Sequence, residues 1–312
     1  MSRFLITGAF GFVGQWMVKA LLDRNEEVIV MSHKNMTLTH NWNLKDVTLV
    51  RGDIRNYDFL KKIFYEYRID TIFHLAAQAL VGKALLNPYE TMRTNIGGVI
   101  NLLECAKNYG KTQSIIMASS DKAYGNEKSP YSENTPLNGR APYDCSKSCG
   151  DLVAQCYKDT YDMPISIIRC GNIFGGGDFN WDRVFPEAIK SCFENRAMEI
   201  RSDGKSMSRD YIYIEDVISS YLFIHDLRRN EIVNVACGAT KNVLDVLRSI
   251  QNIADVYIDP NIKNIAQHEI DIQYLDNSYI KSLGWNPKYS FTDGVKKTVG
   301  WYYEYFGEAQ YD

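Results

Sequence analysis

The chain of 312 residues carries a net charge of −3, and 45% of its residues are hydrophobic and 23% charged. This globular composition suits one large or two closely packed domains, and its charge gives no electrostatic basis for binding nucleic acid or an anionic membrane. No apolar run approaches the roughly 20 residues that span a bilayer. Seven scattered cysteines, without a CxxC pair or a Cys/His cluster, predict no metal site and fit reduced thiols in a cytoplasmic protein.

Strands and helices are predicted to alternate through the first half of the chain. In chain order the predicted elements are the strand Arg3–Thr7, the helix Val13–Leu22, the strands Glu27–Met31 and Val47–Arg51, the helix Tyr57–Tyr67, the strand Thr71–Leu75, the helix Tyr89–Lys107, the strand Ser114–Ala118, the helix Tyr143–Tyr161 and the strand Ile165–Arg169. We expect no signal peptide, because the first element is a strand that enters a glycine turn. Repeated β-α units with almost continuously apolar strands predict the α/β class, with a doubly wound parallel sheet covered by helices on both faces.

The regular alternation ends near Cys170, and the rest of the chain is predicted to mix short helices, turns and isolated strands. Gly175–Gly177 are interpreted as a flexible elbow. Residues 1–169 are therefore predicted to form one domain, and residues 170–312 a smaller lobe that closes over it. Since no linker or low-complexity segment separates the two, we expect them to share one cleft.

Three glycines lie in the segment Thr7–Gly14, between the first strand and the first helix. Their spacing makes a tight turn that lets a pyrophosphate approach the helix N-terminus, where N–H groups and the helix dipole favour negative charge. This position predicts a dinucleotide site in a Rossmann domain. The cofactor contacts predicted in the turn are Gly8, Phe10, Gly11, Phe12, Val13 and Gly14.

The identity of the dinucleotide stays open. NAD enzymes often end the second strand with an acidic residue that binds the ribose hydroxyls, but the stretch from Met31 to Lys34 has none. Ser32 and Lys34 are candidate ligands of the 2′-phosphate of NADP, or else solvated turn residues. After the third strand, Asp53 and Ile54 fit a contact with the adenine, and an N-cap role for Asp53 fits equally well.

Tyr143 and Lys147 are four residues apart at the start of a predicted helix and therefore share one face. An ammonium beside a phenol favours the phenolate. The phenolate can then accept a hydroxyl proton while hydride passes from carbon to nicotinamide. Ser120, which follows a predicted strand, supplies a hydroxyl that can hydrogen-bond the reacting oxygen.

Several motifs together resemble the extended short-chain dehydrogenase/reductase family of nucleotide-sugar epimerases and dehydratases. They are Thr7–Gly14, His74–Gln78, Ser120, Tyr143 with Lys147, Arg209–Val217 and Leu283–Trp285. The resemblance implies a C-terminal sugar-nucleotide lobe and a homodimer formed by two helices of each subunit, about Tyr89–Lys107 and Tyr143–Tyr161. It also implies NAD or NADP, tightly bound and regenerated in each cycle, with further contacts from Leu75, Ala76 and Ala77.

Ser120-Asp121-Lys122 resembles the corresponding motif of the CDP-glucose 4,6-dehydratases. By this resemblance Asp121 is the acid toward the C6 oxygen and Lys122 is the base at C5. The role of Asp121 requires its pKa to be raised. The role of Lys122 requires its pKa to be lowered, for which the nearby Lys147 and burial are the expected causes. The substrate contacts implied are Gln78, Asn172, Arg183 and Arg209, of which Arg209 suits the diphosphate.

Two other functions remain open at this point. A nucleotide-sugar 4-epimerase would need Ser120, Tyr143 and Lys147, with Asp121 and Lys122 outside the reaction. A non-catalytic dinucleotide-binding scaffold would share the fold, but it has no use for an activated phenol. For a dehydratase, the nucleotide could be CDP, GDP, UDP or dTDP, and the sugar glucose or N-acetylglucosamine.

Overall fold

Parallel strands form the core of the first part of the chain, as the computed structural model of residues 2–33, 42–265 and 270–308 shows. Its first elements are β1 (Arg3–Thr7), α1 (Phe12–Asp23), β2 (Glu27–Ser32), β3 (Thr48–Arg51), α2 (Tyr57–Tyr67), β4 (Thr71–His74), α3 (Val81–Leu86), α4 (Pro88–Met92), α5 (Gly98–Tyr109), β5 (Ser114–Ser120), α6 (Pro142–Tyr161) and β6 (Ile165–Cys170). The later elements are β7 (Asn172–Phe174), α7 (Val184–Phe193), β8 (Met198–Ile200), β9 (Ser208–Tyr213), α8 (Ile214–Leu227), β10 (Ile232–Val235), β11 (Thr240–Asn242), α9 (Val243–Ala254), β12 (Pro260–Ile262), β13 (Ile272–Gln273), α10 (Ser278–Ser282) and α11 (Phe291–Glu308).

The main sheet has seven strands in the order β10-β6-β5-β4-β1-β2-β3. Fully buried apolar side chains meet across its centre, where Leu5 of β1 lies opposite Ile29 of β2 on one side and Ile72 of β4 on the other. Strand order reverses between β1 and β4, and ligands of such sheets bind at the carboxyl ends of the strands at this point. The predicted α/β class with a doubly wound parallel sheet is confirmed.

The predicted strands of the first half are confirmed, with bounds that differ by at most two residues. The helix predicted over Tyr89–Lys107 is confirmed as one continuous helical stretch, in which a π-helical turn at Arg93–Gly97 joins α4 to α5. The helix α5 then begins at Gly98, where an added Cβ would lie 2.9 Å from Ile54 Cγ2. The short helix α3 was not predicted.

The chain divides into two compact units: unit 1 (Met1–Cys170 and Ile218–Asn234) and unit 2 (Gly171–Val217 and Val235–Asp312). Residues 218–234, expected in the second domain, thus belong to unit 1. The reason is that the chain returns to the sheet beside β6, where the Ile167 amide donates to the Glu231 carbonyl at 2.8 Å. The first change of unit follows Cys170, one residue beyond the predicted boundary.

Unit 2 has a small sheet in which β9 pairs with β7, β11 and β13. Its apolar core includes the stacked rings of Phe174 and Phe185, whose centroids are 4.2 Å apart. The flexible elbow predicted at Gly175–Gly177 is wrong: these glycines are buried, and an added Cβ at Gly176 would lie 2.2 Å from the Trp301 ring. Unit 2 also contains longer helices than expected, since α11 has 18 residues.

None of the helices within residues 2–33, 42–265 and 270–308 is both long and apolar enough to cross a membrane.

Candidate active site

The glycine turn between β1 and α1 is closely packed backbone. Gly8 has a φ of +72°, and a Cβ there would lie 2.7 Å from the Ala76 nitrogen. A Cβ on Gly14 would lie 2.1 Å from the Gly8 carbonyl oxygen, and the Gly11 amide donates to that oxygen at 3.0 Å. Side chains are thus excluded at positions 8 and 14 for steric reasons. The first N–H groups of α1 have no intrahelical partners and can bind a phosphate.

Thr7 connects this turn to the end of β4. Its Oγ1 is hydrogen-bonded to His74 Nδ1 at 2.8 Å and accepts from the Ala76 amide at 3.2 Å. Burial, with a contribution from the Lys147 charge, lowers the pKa of His74 to about 3, so the imidazole stays neutral. Leu75, Ala76 and Ala77, the predicted cofactor contacts, consequently lie directly beside the glycine turn.

Phe10 and Trp42 form an aromatic pair next to the turn, with ring centroids 5.8 Å apart. Trp42 is 7% exposed, and its indole Nε1 has no hydrogen-bond partner in the described part of the chain. A buried donor of this kind fits an acceptor group on a bound dinucleotide. Sequence reasoning missed Trp42, since it lies 32 positions from Phe10. Phe12 and Val13 are half-buried in the first turn of α1.

The Asp53 carboxylate is bound by Arg55, whose Nη2 lies 2.6 Å from Oδ2 and whose Nε lies 2.9 Å from Oδ1. The hydrogen bond from Arg55 lowers the pKa of Asp53. Arg55 also pairs with Glu90. The N-cap interpretation of Asp53 is wrong, because the Asn56 side chain caps α2 by accepting from the Phe59 amide.

Three other residues were predicted to contact the cofactor, and each has different surroundings. Ser32 ends β2 and is half-buried. The side chain of Ile54 is buried against Gly98, which leaves its backbone as the part able to meet a ligand. Lys34 lies outside the described residues.

Ser120 ends β5 and caps the 3-10 turn Asp121–Tyr124. Its hydroxyl donates to Asp121 Oδ1 at 2.9 Å and accepts from the Lys122 amide at 3.2 Å. The Asp121 side chain is buried and that of Lys122 is half-buried. The structure thus brings a hydroxyl, a carboxyl and an amine together at the end of the strand.

Tyr143 and Lys147 lie one turn apart on α6, and both are half-buried. Lys147 Nζ donates to the Ala118 carbonyl at 2.7 Å, which fixes the amine at the end of β5. Burial lowers the pKa of Lys147 to about 8, while Asp151 acts in the opposite direction. The Tyr143 carbonyl accepts from Ser146 Oγ at 2.7 Å, which holds the first turn of the helix.

Asp144 is a further ionisable residue near this group that sequence reasoning missed. Burial raises its pKa to about 6, and the charge of Lys122 lowers it while that of Asp121 raises it. Lys122 therefore has a carboxylate as an electrostatic neighbour. Asp151 and Cys170 are the groups whose interaction raises the pKa of Lys147.

Gln78 shapes the loop after β4. Its Nε2 donates to the Leu80 carbonyl at 3.0 Å and to Thr91 Oγ1 at 3.1 Å, and its Oε1 accepts from the Leu80 amide at 2.6 Å. The backbone amide of Gln78 donates to Asn95 Oδ1 at 2.7 Å. The side chain predicted to contact substrate thus holds its own loop.

The other three predicted substrate contacts lie in unit 2. Asn172 is on β7, and no described residue accepts a hydrogen bond from its buried Nδ2. Arg183 pairs with Asp178 at 2.9 Å. Arg209 lies on β9, and its Nη1 donates to two backbone carbonyls, including that of Asp271 at 3.1 Å. Asn172 thus offers a donor that a ligand could use.

Comparisons with known proteins show which family and fold this chain shares. A family model described as GDP-mannose 4,6 dehydratase matches residues 5–298. The chain is 28% identical to a trifunctional UDP-glucose 4,6-dehydratase/UDP-4-keto-6-deoxy-D-glucose 3,5-epimerase/UDP-4-keto-L-rhamnose-reductase of Arabidopsis thaliana, in a match over 97% of this chain and 47% of that protein. The chain therefore spans about half the length of this relative.

Two solved structures cover almost the whole chain. A UDP-glucose 4-epimerase of Thermotoga maritima with UDP-glucose matches with a TM-score of 0.90 and 26% identity, over 97% of this chain and 99% of that one. A dTDP-glucose 4,6-dehydratase of Streptomyces venezuelae with NAD bound matches with a TM-score of 0.84 and 26% identity, over 98% of both chains. Similarity of fold is therefore compatible with either reaction.

Proposed function

Because the chain belongs to the GDP-mannose 4,6-dehydratase family, we propose that it is an NAD(P)-dependent hydro-lyase, which removes water from a nucleotide-linked hexose to give a 4-keto-6-deoxy sugar. The observation that carries this proposal is the group at the end of β5. Asp121 and Lys122 directly follow Ser120, and Lys147 is fixed to the same strand end. An epimerase has no need of two additional ionisable groups there.

The glycine turn supports a tightly held dinucleotide, with the pyrophosphate at the N-terminus of α1. The backbone after β4 and the indole of Trp42 supply further contacts. When bound, the nicotinamide supplies the oxidising and reducing equivalents, so each cycle regenerates it. The stretch after β2 leaves the choice between NAD and NADP open.

The proposed proton transfers are carried out by different side chains. Tyr143 accepts the proton of the C4 hydroxyl, because the Lys147 ammonium stabilises its phenolate. Ser120 hydrogen-bonds the C4 oxygen. Oxidation at C4 acidifies the C5 proton, which Lys122 removes, and Asp121 protonates the departing C6 hydroxyl, which leaves as water. Once hydride has returned to C6, Lys122 delivers a proton to C5, which completes the 4-keto-6-deoxy sugar. Lys122 must lose its own proton first, which the neighbouring carboxylate of Asp144 opposes.

The substrate is a diphosphate-linked sugar. Asn172 and Arg209 are the donors that we assign to the diphosphate, and Arg183 is assigned to the nucleotide. The Ser120-Asp121-Lys122 motif favours CDP-glucose, while relatives named for UDP-glucose and dTDP-glucose keep other nucleotides open. The direct test is mass spectrometry of products from CDP-, GDP-, UDP- and dTDP-linked glucose and N-acetylglucosamine, with loss of one water as the expected result.

A 4-epimerase is the second candidate, because the epimerase of Thermotoga maritima matches with a TM-score of 0.90. An epimerase inverts C4 without changing the mass of the sugar and without exchanging the C5 proton. A dehydratase incorporates solvent deuterium at C5. If every sugar in the panel gives a product of unchanged mass without deuterium at C5, the dehydratase proposal is wrong.

We expect Lys122→Met to reduce water loss by about 10²- to 10⁴-fold, because it removes the base at C5. Oxidation at C4 should persist, since Ser120, Tyr143 and Lys147 remain. The measurement is single-turnover absorbance of the reduced nicotinamide together with product mass. Lys128→Met is the matched control, as this exposed lysine lies in the following loop, and it should behave as wild type. Wild-type water loss by Lys122→Met would refute the assignment of the base.

The proposed assembly is a homodimer in which α5 and α6 face a second copy. These helices pack together and leave apolar side chains exposed, with Leu152 and Tyr161 each 51% and Ile100 40% exposed.

We expect a solution mass of twice 35.8 kDa by light scattering. Leu152→Arg should give monomers, because a two-fold axis brings like charges together. Tyr257→Arg, at a 76% exposed position of unit 2, should remain dimeric; monomeric wild type would contradict the proposal.

A further inference from the structure

Two consecutive residues of β5 are held by one face of α6. The Ala118 carbonyl accepts from Lys147 Nζ at 2.7 Å, and Ser119 Oγ donates to Asp151 Oδ2 at 2.5 Å. Lys147 and Asp151 are four residues apart, so their side chains are neighbours on the helix surface. The helix thus fixes the strand immediately before Ser120 at two points.

Asp151 is fully buried, with a side-chain exposure of 0%. Arg169 donates to both carboxylate oxygens at 2.9 Å, from Nε to Oδ2 and from Nη2 to Oδ1. Gln155 Nε2 donates to Oδ1 at 2.8 Å, and Ser119 completes the set on Oδ2. Four donors occupy the four acceptor positions of an ionised carboxylate. Asp151 is therefore a charged group held in one orientation.

The charge of Asp151 acts on Lys147. Burial lowers the pKa of Lys147 to about 8, and Asp151 opposes this change. The other titratable groups that interact with Lys147 are His74 on β4 and Cys170 on β6. The low pKa of His74, about 3, and the pKa of Cys170, which burial raises to about 12, keep both uncharged near neutral pH. Tyr143 lies one turn away, and the proposed function of the ammonium is to stabilise the phenolate of this residue.

We propose that Asp151 is a positioning residue of the active site, which keeps the ammonium charge on Lys147 and, through Ser119, fixes the strand end that carries Ser120. The effect on turnover rests on the proposed function of Tyr143 and Lys147. The effect on the charge of Lys147 does not, because it rests on the buried carboxylate of Asp151 one turn away on the same face of α6.

The test measures the protonation of Lys147 directly. Acylation of the amine by an amine-reactive anhydride is followed against pH, and the peptide that contains Lys147 is quantified by mass spectrometry. The wild-type midpoint is expected near pH 8. Asp151→Asn should lower it by about one pH unit, because an attractive charge has been removed. The alkaline limb of kcat/KM should move to lower pH by the same amount.

Control variants separate the charge from the hydrogen bond. Ser119→Ala removes the hydrogen bond between Asp151 and β5 but keeps the Asp151 carboxylate. The midpoint for Lys147 should therefore stay at the wild-type value. Asp151→Glu keeps the charge and should do the same. Should Asp151→Asn fail to fold because Arg169 is left buried opposite a neutral partner, Asp151→Asn combined with Arg169→Gln is measured against Arg169→Gln alone, so that the two proteins differ only in the charge of Asp151.

An unchanged Lys147 midpoint in folded Asp151→Asn, or in the double variant relative to Arg169→Gln alone, overturns the proposal. The two proposals fail in different ways. A lowered midpoint in an enzyme whose wild type removes no water contradicts the proposed function alone. Water loss by the wild type with an unchanged midpoint in the variant contradicts the role of Asp151 alone.

Discussion

Tyr143→Phe is expected to lower kcat by about 10²- to 10⁴-fold, because it removes the group that accepts the C4 hydroxyl proton. The ring is kept, so the folded state and the bound dinucleotide should persist. The measurement is turnover with the preferred sugar nucleotide, together with the amount of dinucleotide released on denaturation. Since oxidation at C4 opens the cycle, this variant should fail before any loss of water.

A second tyrosine on the same helix provides the control. Tyr157 lies on α6, and its hydroxyl donates to Glu104 at 2.9 Å, away from Lys147. Tyr157→Phe should therefore retain kcat within a few-fold of wild type. Full turnover by Tyr143→Phe would contradict the assignment of Tyr143 as the group that accepts the C4 hydroxyl proton.

Arg169→Gln is expected to lower the free energy of unfolding by about 3 to 5 kcal/mol. The Asp151 carboxylate would remain buried without its bidentate partner, and the contacts of Arg169 with the Tyr124 hydroxyl at 2.9 Å and the Glu133 carbonyl at 3.0 Å would be lost. The midpoint of urea unfolding measures this change, provided that the slope m stays the same.

The matched control is an ion pair of similar length at the surface. Arg24 lies 3.0 Å from Asp226, and the two side chains are 40% and 52% exposed. Arg24→Gln should cost less than about 1 kcal/mol, because solvent screens the pair. Equal losses for Arg24→Gln and Arg169→Gln would show that burial does not determine the energy of the inner pair. The neutral double variant of Asp151 and Arg169 should be more stable than either single variant.

The fold was predictable because its signals are local. A strand followed by glycines 8, 11 and 14 predicts a tight turn before a helix, and apolar runs of strand length predict the strands of the sheet. Tyr143 and Lys147 share a face through helix geometry alone. Ser120 and Asp121 are neighbours in sequence, so their proximity was certain before their burial was known.

The features that sequence reasoning missed depend on residues far apart in the chain. The three glycines near residue 176 are locally consistent with flexibility, and only the ring of Trp301, 125 positions later, makes Gly176 a packing contact. The ion pair of Asp53 with Arg55 is an exception, since the two residues are only two positions apart and the sequence did not show that they bind each other. The carboxylate of Asp144 became relevant because the 3-10 turn after β5 brings Lys122 near it.

The contacts of α6 with β5 fix the rotation of this helix about its own axis. An α-helix turns by about 100° for each residue, so one inserted or deleted residue between Lys147 and Asp151 would aim the later side chain away from the strand. Ala118 and Ser119 could not then both be bound. A substitution that keeps the length of α6 preserves this rotation, whereas a change in the length of the helix at this point does not.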